Sequence, residues 1–112
     1  MKETENNTKV SLIIPAHNEA ENISAVLDVA TKSKEVDEII VVADACEDNT
    51  VEIAKKFKVK IIKRSNTQGK GSAMIAGVRE ASGQIIMFAD ADLENLTTRH
   101  ITQVLTPVIN NQ

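Results

Sequence analysis

Two aspartates one residue apart, Asp90 and Asp92, directly follow an unbroken apolar run, Ile85-Ile-Met-Phe-Ala89. Carboxylates held this close repel each other and resist desolvation unless a cation or hydrogen-bond donors compensate them. A hard divalent ion is the simplest compensator, because it takes oxygen ligands and can hold phosphate oxygens as well. A capping role explains one such acid and not two, so the pair points to metal and phosphate chemistry. Two earlier apolar runs end in comparable groups. The first leads into Pro15-Ala-His-Asn-Glu19, and the second into Asp44 with Asp48 beyond it. Asp44 stands at the end of its run, whereas Asp48 stands just before a helix and reads as a cap.

Gly69-Lys70-Gly71 supplies glycines for close backbone approach, a helix start and a point charge, the parts of an anion site. It is no P-loop, since position 64 is Arg and Lys70 is followed by Gly71. Nor is it the dinucleotide fingerprint, which wants a third glycine where Met74 stands. His17 and Cys46 lie in the same loops with no sequence neighbour that would activate either. His100 falls among polar residues and is assigned no role.

The elements that must position these groups follow from periodicity. Strands are expected over 10–14, 39–43, 59–62 and 85–89. Pro15 ends the first, lysines flank the third and place it at an edge, and the fourth reads as buried on both faces. A helix capped by Asn18, with Glu19 and Glu21 in its first turn, carries Ile23, Val26, Leu27 and Ala30 inward to about Lys32. A second, capped by Asp48 or Thr50, buries Val51, Ile53, Ala54 and Phe57. After the polar loop at 64–71, a third helix turns Met74, Ile75, Val78 and Ala81 inward and ends at Gly83. A fourth starts near Thr97 or Thr98 with Ile101, Val104, Leu105 and Val108, and Pro107 should kink or end it. This alternation is the signature of an α/β fold, a Rossmann-like, mostly parallel sheet with helices on both faces. Right-handed crossovers then bring all strand carboxyl ends to one rim, where ligands bind in such sheets. Residues 1–8 read as a flexible N-terminus and 9–112 as one domain.

Composition narrows the partners. A net charge of −3 and only two aromatic residues leave no basic stripe with stacking groups, so nucleic acid is excluded. The single Cys46 rules out an internal disulfide and a cysteine cluster for zinc. The first eight residues have no apolar core and so form no signal peptide. Apolar runs reach about five residues, against the ~18 of a transmembrane segment. A cytoplasmic location is the expectation.

Taken together, Pro15-Ala-His-Asn-Glu19, Val41-Val-Ala-Asp-Ala-Cys-Glu-Asp-Asn-Thr50, Gly69-Lys-Gly71 and Asp90-Ala-Asp92 resemble the N-terminal half of family 2 glycosyltransferases, inverting enzymes with the GT-A fold. The resemblance covers roughly residues 9 to 109. It implies that Pro15, Ala16 and Glu19 line a nucleoside pocket, that Asp44 contacts the base, and that Lys70 lies close to the nucleotide. It further implies that the Asp90-Ala91-Asp92 segment grips the donor, with Asp92 and Asp90 on an Mg²⁺ or Mn²⁺ ion that bridges the diphosphate of a UDP- or GDP-linked sugar. Ala43 departs from the pattern, since many members carry there the first of two consecutive acids. The acceptor site and general base of the family belong to a C-terminal part, so no catalytic residue is assigned here, and little activity is expected of these 112 residues alone. Three other readings compete. One is a non-catalytic nucleotide-binding or interaction module on the same fold. Another is a phospho-acceptor receiver domain, which lacks its acids at Pro15-Ala-His and Arg64-Ser. The third is a chain that self-associates through an uncovered apolar face.

Overall fold

The computed structural model of the protein describes residues 8–66 and 69–111. The flexible segment expected at 1–8 lies outside the described residues apart from Thr8, as do positions 67 and 68 of the polar loop. Eight elements alternate along the chain: β1 (Val10–Ala16), α1 (Ile23–Lys32), β2 (Glu38–Asp44), α2 (Thr50–Ala54), β3 (Lys60–Arg64), α3 (Lys70–Glu80), β4 (Ile85–Phe88) and α4 (Thr98–Asn110). The strands form one parallel sheet in the order β3-β2-β1-β4. The chain steps outward from β1 to β3 and then returns to the far side of β1. The direction of strand order therefore reverses between β1 and β4, which makes a crevice at their carboxyl ends.

The central strand is apolar because both of its faces are covered. Side chains alternate across a strand. Leu12 and Ile14 pack with Ile39 and Val41 under Ile23, Val26, Leu27 and Ala30 of α1 and Ala54 of α2. Ile13 faces the other way with Ile40, Val42 and Ala73 of α3. Ile101 and Leu105 of α4 close over Val10 and Ile85. β3 lies at an edge, as its lysines predict.

Several local expectations are corrected. α3 does not bury the stripe read from its large residues: Ile75 is 55% exposed and Val78 43%, and the buried positions are Ala73 and Gly77. A Cβ on Gly77 would lie 2.5 Å from Ile13 Cγ2, so the helix backbone rests on the sheet and only small residues fit the contact. Nor does Gly83 end that helix, whose cap is Ala81 in an extended conformation. Gly83 instead passes close to β1, where its N–H donates to Ser11 Oγ at 2.9 Å.

β4 is the second edge rather than a strand buried on both faces, and Phe88 is 40% exposed. α1 begins at Ile23 with Asn22 before it. Asn18, Glu19 and Glu21 precede it in a turn where the Glu19 carbonyl accepts from the N–H groups of Asn22 and Ile23. Pro107 sits inside α4 without ending it. It lies on the exposed side with Val104 and Val108, contrary to the inward placement expected of those valines. Proline has no N–H to donate to the Gln103 carbonyl, and Gln103 is exposed too. His100 does have a structural part: its N–H donates to Thr97 Oγ1 at 3.2 Å, and its Nδ1 accepts from Thr97 N at 3.3 Å, closing a capping box.

The amino end of the sheet is held by Glu38. Its Oε1 accepts from the Ser11 hydroxyl, the Ser82 N–H (2.7 Å) and the Ser82 hydroxyl (3.1 Å), and its Oε2 from Lys60 Nζ at 2.7 Å. Burial alone would raise this carboxyl, but the Lys60 ammonium and the serine donors outweigh it and hold it at about 2. Because the folded value lies below the ordinary 4.5, this stabilisation is complete above about pH 4.5 and is lost as pH falls toward 2. In urea titrations the stability gap between wild type and Glu38→Gln should therefore narrow by roughly 1–2 kcal/mol between pH 5 and pH 3. A gap that stays constant with pH would contradict the assignment.

Candidate functional site

A cavity of about 360 Å³ opens at the carboxyl edge of the sheet, over the crevice between β1 and β4. Pro15, Ala16, Glu19, Asp44, Lys70, Asp90, Ala91 and Asp92, the eight residues singled out in the sequence, all line it. β1 and the turn after it deliver the first three, β2 ends in Asp44, and the chain leaving β4 carries Asp90 to Asp92. Lys70 opens α3 behind Gly69, whose φ of 94° is one that glycine adopts freely. The first intrahelical bond of α3 runs from Ala73 N to Gly69 O, so the amides of Lys70 and Gly71 precede the hydrogen-bonded ladder at the cavity wall.

Asp44 is the unusual member. It is only 5% exposed, and its Oδ1 has no hydrogen-bond partner among the described residues. Arg64 Nε approaches that oxygen to 3.1 Å but out of line for a hydrogen bond, while Arg64 Nη2 donates to Ser72 Oγ at 3.0 Å. Arg64 thus compensates the charge of Asp44 and leaves an acceptor unused. A buried polar atom without a partner costs about 1–3 kcal/mol. The next residue, Ala45, has a φ of 52°, a left-handed conformation that costs a non-glycine residue roughly 1–2 kcal/mol. Its N–H donates to the Arg64 carbonyl at 2.8 Å.

The acids of the opposite wall are open. Asp90 is half-exposed and is held by the Lys70 ammonium, and Asp92 is exposed. The Asp90 hydrogen bond and charge, with a smaller contribution from Asp92, push Lys70 above its ordinary value. Asp48 stays out of the cavity. Its carboxylate takes the Thr50 hydroxyl, Thr50 N at 3.0 Å and Ala20 N at 3.1 Å, and the Thr50 hydroxyl donates foremost among the contacts that lower its pKa. Asn18 locks the same loops from the other side, its Oδ1 accepting from Glu47 N at 2.7 Å. Cys46 donates its thiol to the Ala16 carbonyl at 3.4 Å, a packing contact between loops.

Two residues that the sequence left without a role belong beside the site. His17 lines the cavity and its Nδ1 donates to the Asp44 carbonyl at 2.6 Å. Arg64 was legible in principle, since parallel register sets it directly opposite Asp44. A larger cavity, about 490 Å³, lies at the amino edge around Glu38 and Lys60. Its carboxylates are already satisfied, which makes it the weaker place for chemistry despite its size.

Metal capacity follows from the donor set. Among the described residues no three His, Cys, Asp or Glu groups converge. Asp90 and Asp92 alone would give an ion two protein carboxylates, which fits Mg²⁺ or a similar hard ion that keeps waters and shares substrate phosphates.

Chains of known activity are similar to this one. A family model described as Glycosyl transferase family 2 matches residues 11–112. The chain belongs to that family. It is 40% identical over 94 residues to a dolichol-phosphate mannosyltransferase of Pyrococcus furiosus, covering 78% of this chain and 26% of that protein. It is 37% identical over 91 residues to glycosyltransferase AglE of Haloferax volcanii, covering 74% of this chain and 30% of that one. The chain therefore spans less than a third of these family members. Glucosyl-3-phosphoglycerate synthase of Mycobacterium tuberculosis, solved with Mn²⁺, UDP and glucosyl-3-phosphoglycerate, superposes with a TM-score of 0.84 at 27% identity. That match covers 92% of this chain and 40% of the synthase. The same enzyme has been solved with Mg²⁺ and UDP. The parallel α/β fold expected of the family 2 chain is thus the fold it has.

Replacing Arg64 by Met leaves a buried, uncompensated Asp44. Urea denaturation should show a loss on the order of 3 kcal/mol, with Arg64→Lys losing less. A loss below about 0.5 kcal/mol, the level of an exposed pair, would contradict the pairing.

Proposed function

We propose that this chain is the donor-binding part of an inverting glycosyltransferase that grips a nucleoside-diphospho-sugar through a divalent ion. One observation carries the reading. Asp44, the Lys70 ammonium and the Asp90-Ala-Asp92 carboxylates share a single cavity.

The Asp44 carboxylate is suited to accept a ring N–H of a base such as uracil or guanine, because an ionised carboxylate is an acceptor only. Pro15, Ala16 and Glu19 then bound the nucleoside. Lys70 and the leading amides of α3 face the diphosphate. Asp92 and Asp90 would hold Mg²⁺ or Mn²⁺, whose charge supports the departing diphosphate as negative charge develops on it. The UDP and Mn²⁺ bound by the mycobacterial enzyme support a uridine donor over a guanosine one. No residue of the cavity is assigned as the base that deprotonates an acceptor. The reading places that group, with acceptor recognition, outside these 112 residues. On this reading any self-association would run through the edge of β4, where Phe88 is exposed and the strand carries no charged side chain.

Calorimetric titration of the chain with UDP, with and without Mn²⁺, tests the reading. Mn²⁺ should tighten binding by at least about tenfold, the scale of one good charge interaction, and Asp92→Ala should remove that gain. Affinity indifferent to both changes would overturn it. Sugar release or transfer from a UDP-sugar by the chain alone would show that the reading draws the catalytic boundary in the wrong place.

A further inference from the structure

Resting on that donor-site reading, we propose that Lys70 is a resident counter-ion of the metal corner, and that it yields Asp90 to the divalent ion only when a diphosphate arrives to take the ammonium instead. Ion and nucleotide would then bind together, and the bare ion poorly.

The structure supplies each part of the exchange. Lys70 Nζ is bound to Asp90 Oδ1, one of the two carboxylates that would hold the ion. A bare ion entering here must displace the ammonium and then sit beside it. Like charges at that distance oppose entry. The protein offers little in return, since among the described residues no third metal-binding group joins Asp90 and Asp92. Water must then complete the coordination shell.

A diphosphate changes both sides of the balance. It brings oxygen ligands to the ion and a new partner to Lys70. The side chain is free to swing between them: it is 60% exposed, it starts the helix, and nothing lies within 4 Å of a Cβ built at Gly69 or Gly71. Lys70 also lines a second hollow, of about 380 Å³, beside the first. The ammonium therefore has room to move without repacking the core. The pair acts as a latch that keeps two close acids neutralised in the empty site and releases them on demand.

The test is Mn²⁺ binding without nucleotide, followed by the electron paramagnetic resonance of the free ion. Lys70→Met should bind bare Mn²⁺ roughly tenfold more tightly than wild type, about the repulsion between one ammonium and a divalent ion close by in water. The same variant should lose UDP affinity in the presence of Mn²⁺, so that the coupling between ion and nucleotide shrinks from both ends. Lys70→Arg should keep the wild-type pattern. Lys63→Met removes a charge of the same sign from β3, outside the site, and should change neither affinity by more than about twofold. Unchanged bare-ion affinity in Lys70→Met, while UDP binding stays metal-dependent, would overturn the latch and leave the donor site standing. A wild-type chain whose UDP affinity ignores Mn²⁺ would overturn both.

Discussion

Parallel pairing of β1 with β2 on one side and β4 on the other is the constraint on which the rest depends. Three strands that run the same way must end on the same rim. Asp44, Asp90 and the Pro15–Glu19 loop are far apart in sequence and meet only because of that geometry. The register makes the meeting specific. Ala16 lies opposite Ala43, and Ile13 opposite Phe88, so the groups following each strand emerge into one crevice. Sliding any strand by one residue would turn its apolar set to the wrong face and take its terminal acid out of the cavity.

The two ends of the sheet handle charge in opposite ways. At the amino end Glu38 is surrounded by donors from β1, β3 and the segment before β4, and its task is to hold the strands together. At the carboxyl end Asp44 Oδ1 has charge compensation but no donor among the described residues, and Asp90 shares the Lys70 ammonium with a neighbouring acid. Saturated polar groups rigidify a fold, whereas unsaturated ones wait for a ligand. That contrast separates the scaffold edge from the binding edge more clearly than cavity size does.

Much of this was legible in the sequence. Apolar runs such as Ile39–Ala43, with helical stripes between them, fix the alternation, and parallel topology follows from it. The carboxylates were conspicuous because they stand where apolar runs stop. What escaped reading were features set by tertiary contact. In α3, Ala73 and Gly77 face the sheet because the backbone approaches Ile13, and hydrophobicity alone favours Ile75 and Val78. Glu38 carries no signal in the sequence, since its partners Ser11 and Ser82 are distant along the chain. Asn18 has the residue type of a cap, but its φ of 53° turns it into a clamp between two loops. The apolar character of β4 suggested a central strand, while its place in the order is an edge.

The donor-site account is tested most directly by a crystal of the chain soaked with UDP and Mn²⁺. The account predicts the base against Asp44, with Mn²⁺ density between Asp92 and the diphosphate and the Lys70 side chain turned from Asp90 toward a phosphate. Nucleotide density at the amino edge around Glu38 and Lys60, or a base turned away from Asp44, would contradict it.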